Sequence, residues 1–146
     1  MSSYLDSSVL ASLYAPDANS ASALDYLRQA TGRLLLTPFG EAELTNAIQL
    51  RVFRREIAAA QAQAALERLA AHVAGGVFQA TPVPAAVYDL ARQLSRKHTP
   101  TLGTRTLDIL HVAAALVLRA DAFYTFDRAQ AKLAHAAGLA TPVHTP

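Results

Sequence analysis

The chain has 146 residues, 52% of them apolar and 16% charged, which is enough to build a sizeable core in one domain and excludes a disordered segment. It has no cysteine, which excludes disulfides, zinc ribbons and thiol chemistry, and 13 Lys and Arg stand against 11 Asp and Glu for a net charge of +2. The longest apolar run, Ile109 to Leu118, is broken by His111 and too short for a bilayer; with no leader pattern at Met1-Ser2-Ser3-Tyr4, the expected location is the cytoplasm, away from membranes.

Short apolar runs alternate with longer helical ones, which predicts an α/β layer fold around a mainly parallel sheet of four to five strands. Ser3 to Asp6 reads as the first strand, and Ser7 or Ser8 starts a helix to about Tyr14. Asp17 to Ala30 is a second helix, with Ala21, Leu24, Leu27 and Arg28 on an amphipathic face. Leu34-Leu35-Leu36 is a buried strand. Thr37 as N-cap and Pro38 at the first helical position then open a helix to about Val52. Arg55 to Val73 is an Ala- and Gln-rich helix stopped at Gly75-Gly76, and Val77 to Ala80 is the third strand. Pro84 opens a helix to about Lys97, and Thr99 to Thr104 reads as a polar loop before a helix over Thr106 to Arg119. Ala122 to Phe126 is the fourth strand, Asp127 to Ala137 the last helix, and Leu139 to Val143 a candidate fifth, edge strand.

Four acids fall where these elements begin or end: Asp6, Glu43, Asp108 and Asp127. Asp6 and Asp127 each follow a strand and precede a helix, so each reads as an N-cap, as a site residue, or as both. Glu43 shares a face with Asn46, Ala47 and Leu50 and points to the rim of the core, where a carboxylate needs a partner; Glu41, far round the helix, reads as solvated. Asp108 lies in a first helical turn, where the helix dipole favours an acid. If the fold gathers the four, their mutual repulsion must be met by protons or by a hard divalent cation, and oxygen-only ligands favour Mg²⁺ or Mn²⁺.

Several segments, in order, carry a family resemblance: Tyr4-Leu5-Asp6-Ser7-Ser8-Val9-Leu10, Glu43-Leu44-Thr45-Asn46-Ala47, Leu107 to Ala115, and Thr125-Phe126-Asp127-Arg128-Ala129-Gln130. Together they resemble PIN-domain ribonucleases of the VapC toxin type. The resemblance covers nearly the whole chain and implies one PIN domain over 1–146, folded as a three-layer α/β/α sandwich. It further implies Mg²⁺ or Mn²⁺ held by Asp6, Glu43, Asp108 and Asp127, hydrolysis of RNA to a 5′-phosphate and a 3′-hydroxyl, a VapB-type antitoxin partner and a homodimer.

Around these acids stand further candidates. Thr125 matches a position that orders metal-bound water in the family, or is simply a strand residue. Ser7 or Ser8 either caps the first helix or bonds Asp6. His111 reads first as a satisfied core histidine and second as a donor to a ligand carboxylate. Arg105 and the cluster Arg51, Arg54 and Arg55 read as phosphate contacts or as solvated helix ends. An antitoxin peptide is expected in a groove between the helix of Glu43 and the helix that follows it. Two rival functions are weighed. A haloacid-dehalogenase-type phosphatase wants a second Asp where Ser8 stands, and a phosphotransfer receiver wants paired acids where Asp6 stands alone. A non-catalytic RNA- or protein-binding module on the same fold is the other alternative.

Overall fold

In a computed structural model that describes residues 1–142, the chain forms four strands and seven helices: β1 (Ser2–Leu5), α1 (Ser7–Tyr14), α2 (Ser20–Gln29), β2 (Arg33–Leu36), α3 (Pro38–Phe53), α4 (Ala59–Ala74), β3 (Phe78–Ala80), α5 (Ala85–Leu102), α6 (Thr106–Val117), β4 (Ala122–Tyr124) and α7 (Arg128–Ala136). The sheet runs β3-β2-β1-β4 and every pairing is parallel. Tyr4 pairs with Leu35 on one side and Phe123 on the other.

Strand alternation sorts the core into two layers. Leu5, Leu36 and Tyr124 face a cluster built with Val9, Leu10, Leu44, Ile48 and Ala65 from α1, α3 and α4. Tyr4, Leu35 and Phe123 face the opposite cluster, with Val87, Val112, Ala113 and Leu133 from α5, α6 and α7. The result is a three-layer α/β/α sandwich. β1 is buried on both faces, as a central parallel strand must be. Because all strands run one way, the segments after β1, β2 and β4 open on the same edge of the sheet, where α/β folds place their ligands. No helix among the described residues is long and apolar enough to cross a membrane.

Four sequence expectations need correction. The helix expected from Arg55 starts at Ala59, because Arg55 sits at φ 60° in a turn closed by Glu56 N–H to Arg51 O, and Gln61 then accepts from the Ala58 N–H. The polar loop expected over Thr99 to Thr104 is instead mostly the last turn of α5. Pro100 is carried inside that helix, Gly103 ends it at φ 63°, and Thr99 Oγ1 bonds Thr104 Oγ1 at 3.1 Å, which absorbs the hydroxyls. In α2 the buried positions are Ala23 and Tyr26, while Leu24 faces out, so the apolar face is turned by one residue from the expected one. Finally, Ala140 makes only an isolated parallel bridge to Ala122, leaving a four-stranded sheet; Val143 lies outside the described residues.

Candidate active site

The carboxyl edge of the sheet carries a groove of about 380 Å³ lined by Asp6, Glu43, Asp108 and Asp127, with Ser8 and Arg51 among its other walls. A second concavity continues from Glu43, Asp108 and Asp127 past Arg105. The four acids thus come from four different elements: Asp6 after β1, Glu43 on α3, Asp108 in the first turn of α6 and Asp127 after β4.

Asp6 is both cap and site wall. Its Oδ1 accepts from Ser8 N (3.0 Å), Ser8 Oγ (2.6 Å) and Val9 N (3.2 Å), which satisfies the start of α1. Its Oδ2 lies 2.8 Å from Thr125 Oγ1. Burial pushes its carboxyl above the usual range, against the opposing pull of Ser8, His111, Thr125 and Val9. Thr125 is a junction. Its oxygen accepts from Asp127 N at 3.0 Å, while its single proton faces two acceptors, Asp6 Oδ2 and Gln130 Oε1 at 2.7 Å. Ser8 Oγ likewise accepts from Phe126 N at 3.0 Å, so the β4–α7 turn is tied to the β1–α1 turn twice.

Asp127 caps α7 by accepting from Gln130 N at 2.8 Å, and it is exposed at the groove. Asp108 is pushed above its ordinary value, first by burial and then by the charges of Asp127 and Glu43. At Asp108 that opposition is what neighbouring acids produce. Glu43 behaves in the opposite way. Burial would raise it, but hydrogen bonds from His111 and Ser7 hold it below the usual range. On α3 the fully buried face is Gly40, Leu44 and Ile48; Glu43 and Ala47 stand half-buried at the rim of that core and flank the groove with Leu50, while Asn46 is exposed.

Among the described residues no three His, Asp or Glu side chains converge at the spacing of one ion's ligands. The carboxylates are gathered along a groove rather than closed on a point. Their donor chemistry, four hard oxygen groups and no sulfur, fits Mg²⁺ or Mn²⁺.

The secondary candidates separate clearly. His111, 2% exposed, bonds Glu43 through Nε2 and Tyr4 through Nδ1 at 2.7 Å, so it is a buried histidine and a carboxylate partner at once. Arg54 and Arg105 line the two ends of the groove, whereas Arg55 lies outside its walls. Arg51 is committed to structure: it pairs with Asp17 Oδ2 and donates to Ala15 O, both at 2.5 Å. The apolar groove nearest to the one expected for a peptide lies between Tyr14-Ala15-Pro16 and α4, lined by Ile57, Ala64 and Arg68. Sequence reading missed Gln130 and Tyr4. Gln130 stands three residues after a capping Asp, a spacing that signals a capping box; here its side chain turns to Thr125 and to the Asp108 carbonyl. Tyr4 gave no signal beyond strand propensity.

The same fold is found in several solved structures. VapC20 of Mycobacterium tuberculosis, a toxin described as cleaving the sarcin-ricin loop, is 21% identical with a TM-score of 0.68 over 94% of this chain and 95% of that one. FitAcB of Neisseria gonorrhoeae is 20% identical with a TM-score of 0.68, covering 95% of each chain. VapBC2 of Rickettsia felis, solved on a promoter DNA fragment, is 14% identical with a TM-score of 0.67 over 97% of this chain and 98% of that one. No curated protein matches the chain significantly. The sequence matches the PIN domain family over residues 3–136, and the chain belongs to that family.

Proposed function

We propose that the protein is a Mg²⁺- or Mn²⁺-dependent endoribonuclease, the toxin of a type II toxin–antitoxin pair. The observation that carries this reading is the shared groove of Asp6, Glu43, Asp108 and Asp127, in which the ionisation of Asp108 is opposed by Asp127 and Glu43. An anionic phosphodiester and a hydroxide are both repelled by bare carboxylates, so the groove suits RNA hydrolysis only with cations bound. When bound, a divalent ion lowers the pKa of a water and screens the charge that develops on the phosphate oxygens.

Asp6, Asp108 and Asp127 supply the ligand oxygens, and Glu43, held by His111 and Ser7, completes the set or orients the attacking water. Ser8 and Thr125 hold the Asp6 carboxylate from both sides. Arg54 and Arg105, at opposite ends of the groove, are placed to meet phosphates on either side of the scissile bond. The toxin–antitoxin complexes with a similar fold support a VapB-type antitoxin as partner; the homodimer is an expectation of the family resemblance. An arginine of that antitoxin, forked onto two of these carboxylates, is the simplest inhibitor of such a groove.

The deciding experiment is cleavage of total RNA with Mg²⁺ or Mn²⁺ beside EDTA, the parent beside Asp108→Asn. Cleavage that needs metal and vanishes in the variant supports the enzyme. RNA binding with no cleavage under any metal condition would leave a binding module on the PIN fold.

A further inference from the structure

Behind Glu43 runs a chain of hydrogen bonds that the acid groove alone does not require. Thr37 Oγ1 caps α3 by accepting from Gly40 N at 3.1 Å, and it lies 3.3 Å from the Tyr4 hydroxyl. The Tyr4 hydroxyl lies 2.7 Å from His111 Nδ1, and His111 Nε2 meets Glu43 Oε2. Thr37, Tyr4 and His111 are each no more than 2% exposed. The rings are fixed as well: Tyr4 stacks on Phe123 at 5.4 Å and meets His111 edge-on at 5.7 Å, and Phe39 meets His111 at 5.0 Å from another side.

Donor bookkeeping gives this chain a direction. The Glu43 carboxylate can only accept, which calls for a proton on His111 Nε2 and leaves Nδ1 of the neutral ring to accept from Tyr4. The Tyr4 oxygen is then the acceptor at hand for the Thr37 proton. Every buried polar atom is satisfied in this order, and among the described residues no buried side-chain nitrogen or oxygen lacks a partner. Reversing the order leaves Nε2 without a proton for Glu43.

We propose that Thr37, Tyr4 and His111 form a positioning relay that fixes one imidazole tautomer and thereby aims the Glu43 carboxylate into the groove. Ser7 bonds the same carboxylate, so Glu43 is held from two sides and loses the rotamer freedom normal to a half-exposed glutamate. The relay reaches from the cap of α3, through the central strand β1, to α6, and so makes the geometry of one acid depend on two other elements and on the cap of its own helix. None of the three residues lines the acid groove. They act through Glu43, as the partners behind a metal-binding carboxylate do. The catalytic part of this inference rests on the nuclease reading given above; the bond order does not.

The test therefore has two readouts. Imidazole ¹⁵N spectra of the full chain, with His111 assigned among the five histidines by its loss in His111→Gln, report the tautomer in EDTA, without any activity. The expected result is an Nε2–H ring in the parent and in Thr37→Ser, and a shifted or mixed population in Tyr4→Phe and Thr37→Val. An Nδ1–H ring in the parent, or spectra unchanged in both Tyr4→Phe and Thr37→Val, overturns the bond order. In the cleavage assay, Tyr4→Phe should lower kcat about 10- to 100-fold and raise the Mg²⁺ needed for half-activity, with the KM for RNA unaltered. His111→Gln, whose amide still reaches toward Glu43, should keep more activity than His111→Leu. A shifted tautomer with kcat and Mg²⁺ requirement unchanged overturns the positioning role. A parent that cleaves nothing refutes the nuclease reading, and with it that role, while the spectra still decide the bond order.

Discussion

Asp6→Asn should remove activity and make the metal-free protein more stable. In the parent the Thr125 hydroxyl has one proton for two acceptors, Asp6 Oδ2 at 2.8 Å and Gln130 Oε1 at 2.7 Å. An amide at position 6 keeps the capping oxygen toward Ser8 and Val9 and turns its NH₂ to Thr125, which is then free to donate to Gln130. One hydrogen bond gained is worth about 1 kcal/mol, and loss of a buried charge adds in the same direction. For a chain of this length that is a rise of roughly 3 °C or more in Tm. The pH dependence has a definite sign. Burial raises the Asp6 pKa above 3.8 in the folded state, so the parent loses stability as pH climbs through the folded value. The advantage of the variant should be full near neutral pH and shrink toward pH 3.8, where Asp6 takes up a proton in both states. Thermal melts in EDTA across this range, by circular dichroism, are the assay. A variant that melts below the parent at neutral pH, or a difference that does not change with pH, would refute the reasoning.

Asp108→Asn should also raise metal-free stability and flatten its decline with rising pH, because Asp127 and Glu43 oppose the Asp108 charge; urea titrations at several pH values measure it. Arg51→Ala should cost about 2 kcal/mol, between surface and buried ion pairs, because it frees Asp17 and the Ala15 carbonyl; urea unfolding is the check. Gly40→Ala should cost about 1–2 kcal/mol although alanine favours helices, since its Cβ would stand 2.9 Å from Thr37 Oγ1 and disturb the α3 cap; equal or higher stability in thermal melts would count against it. Arg54→Ala should weaken RNA binding and reduce its salt dependence by about one ion, while Arg55→Ala changes neither, as fluorescence anisotropy at several salt concentrations would reveal.

What could be read from the sequence was set by local chemistry. Asp6, Thr37 and Asp127 announce themselves because a capping side chain must precede its helix, and all three caps form. The strand runs stand out because β1 and β2 are buried by alternate faces. The start of α4 was not legible, since Arg55 and Glu56 are adequate helix formers and only the path of the chain puts Arg55 at positive φ. Pro100 misleads in the opposite way. A proline read as a break is accommodated late in α5, where Gly103 and Thr99 close the end. At the site, Asp108 could be picked out as an acid on an otherwise apolar helix, and Glu43 by the inward-leaning face it shares with Ala47. Tyr4 could not, because a tyrosine in a strand looks the same whether its hydroxyl meets water or an imidazole 107 residues away.

The position of β4 has a consequence for synthesis. β1 and β2 are made first and can pair at once, yet Asp6 finds Thr125 only across 119 residues, and Ser3 pairs with Ala122 at the far edge of the growing sheet. Contacts this distant in sequence form late, after the loop between them has been closed. A partly made chain can therefore carry Asp6 and Glu43 on formed elements and still have no complete site, because Asp108 and Asp127 enter only with the last two helices and the strand between them. Until those last elements are made, the chain is unarmed. A nuclease of this design becomes a hazard to RNA only when they close on the first strand, which is also the moment when an inhibitor can find the finished groove.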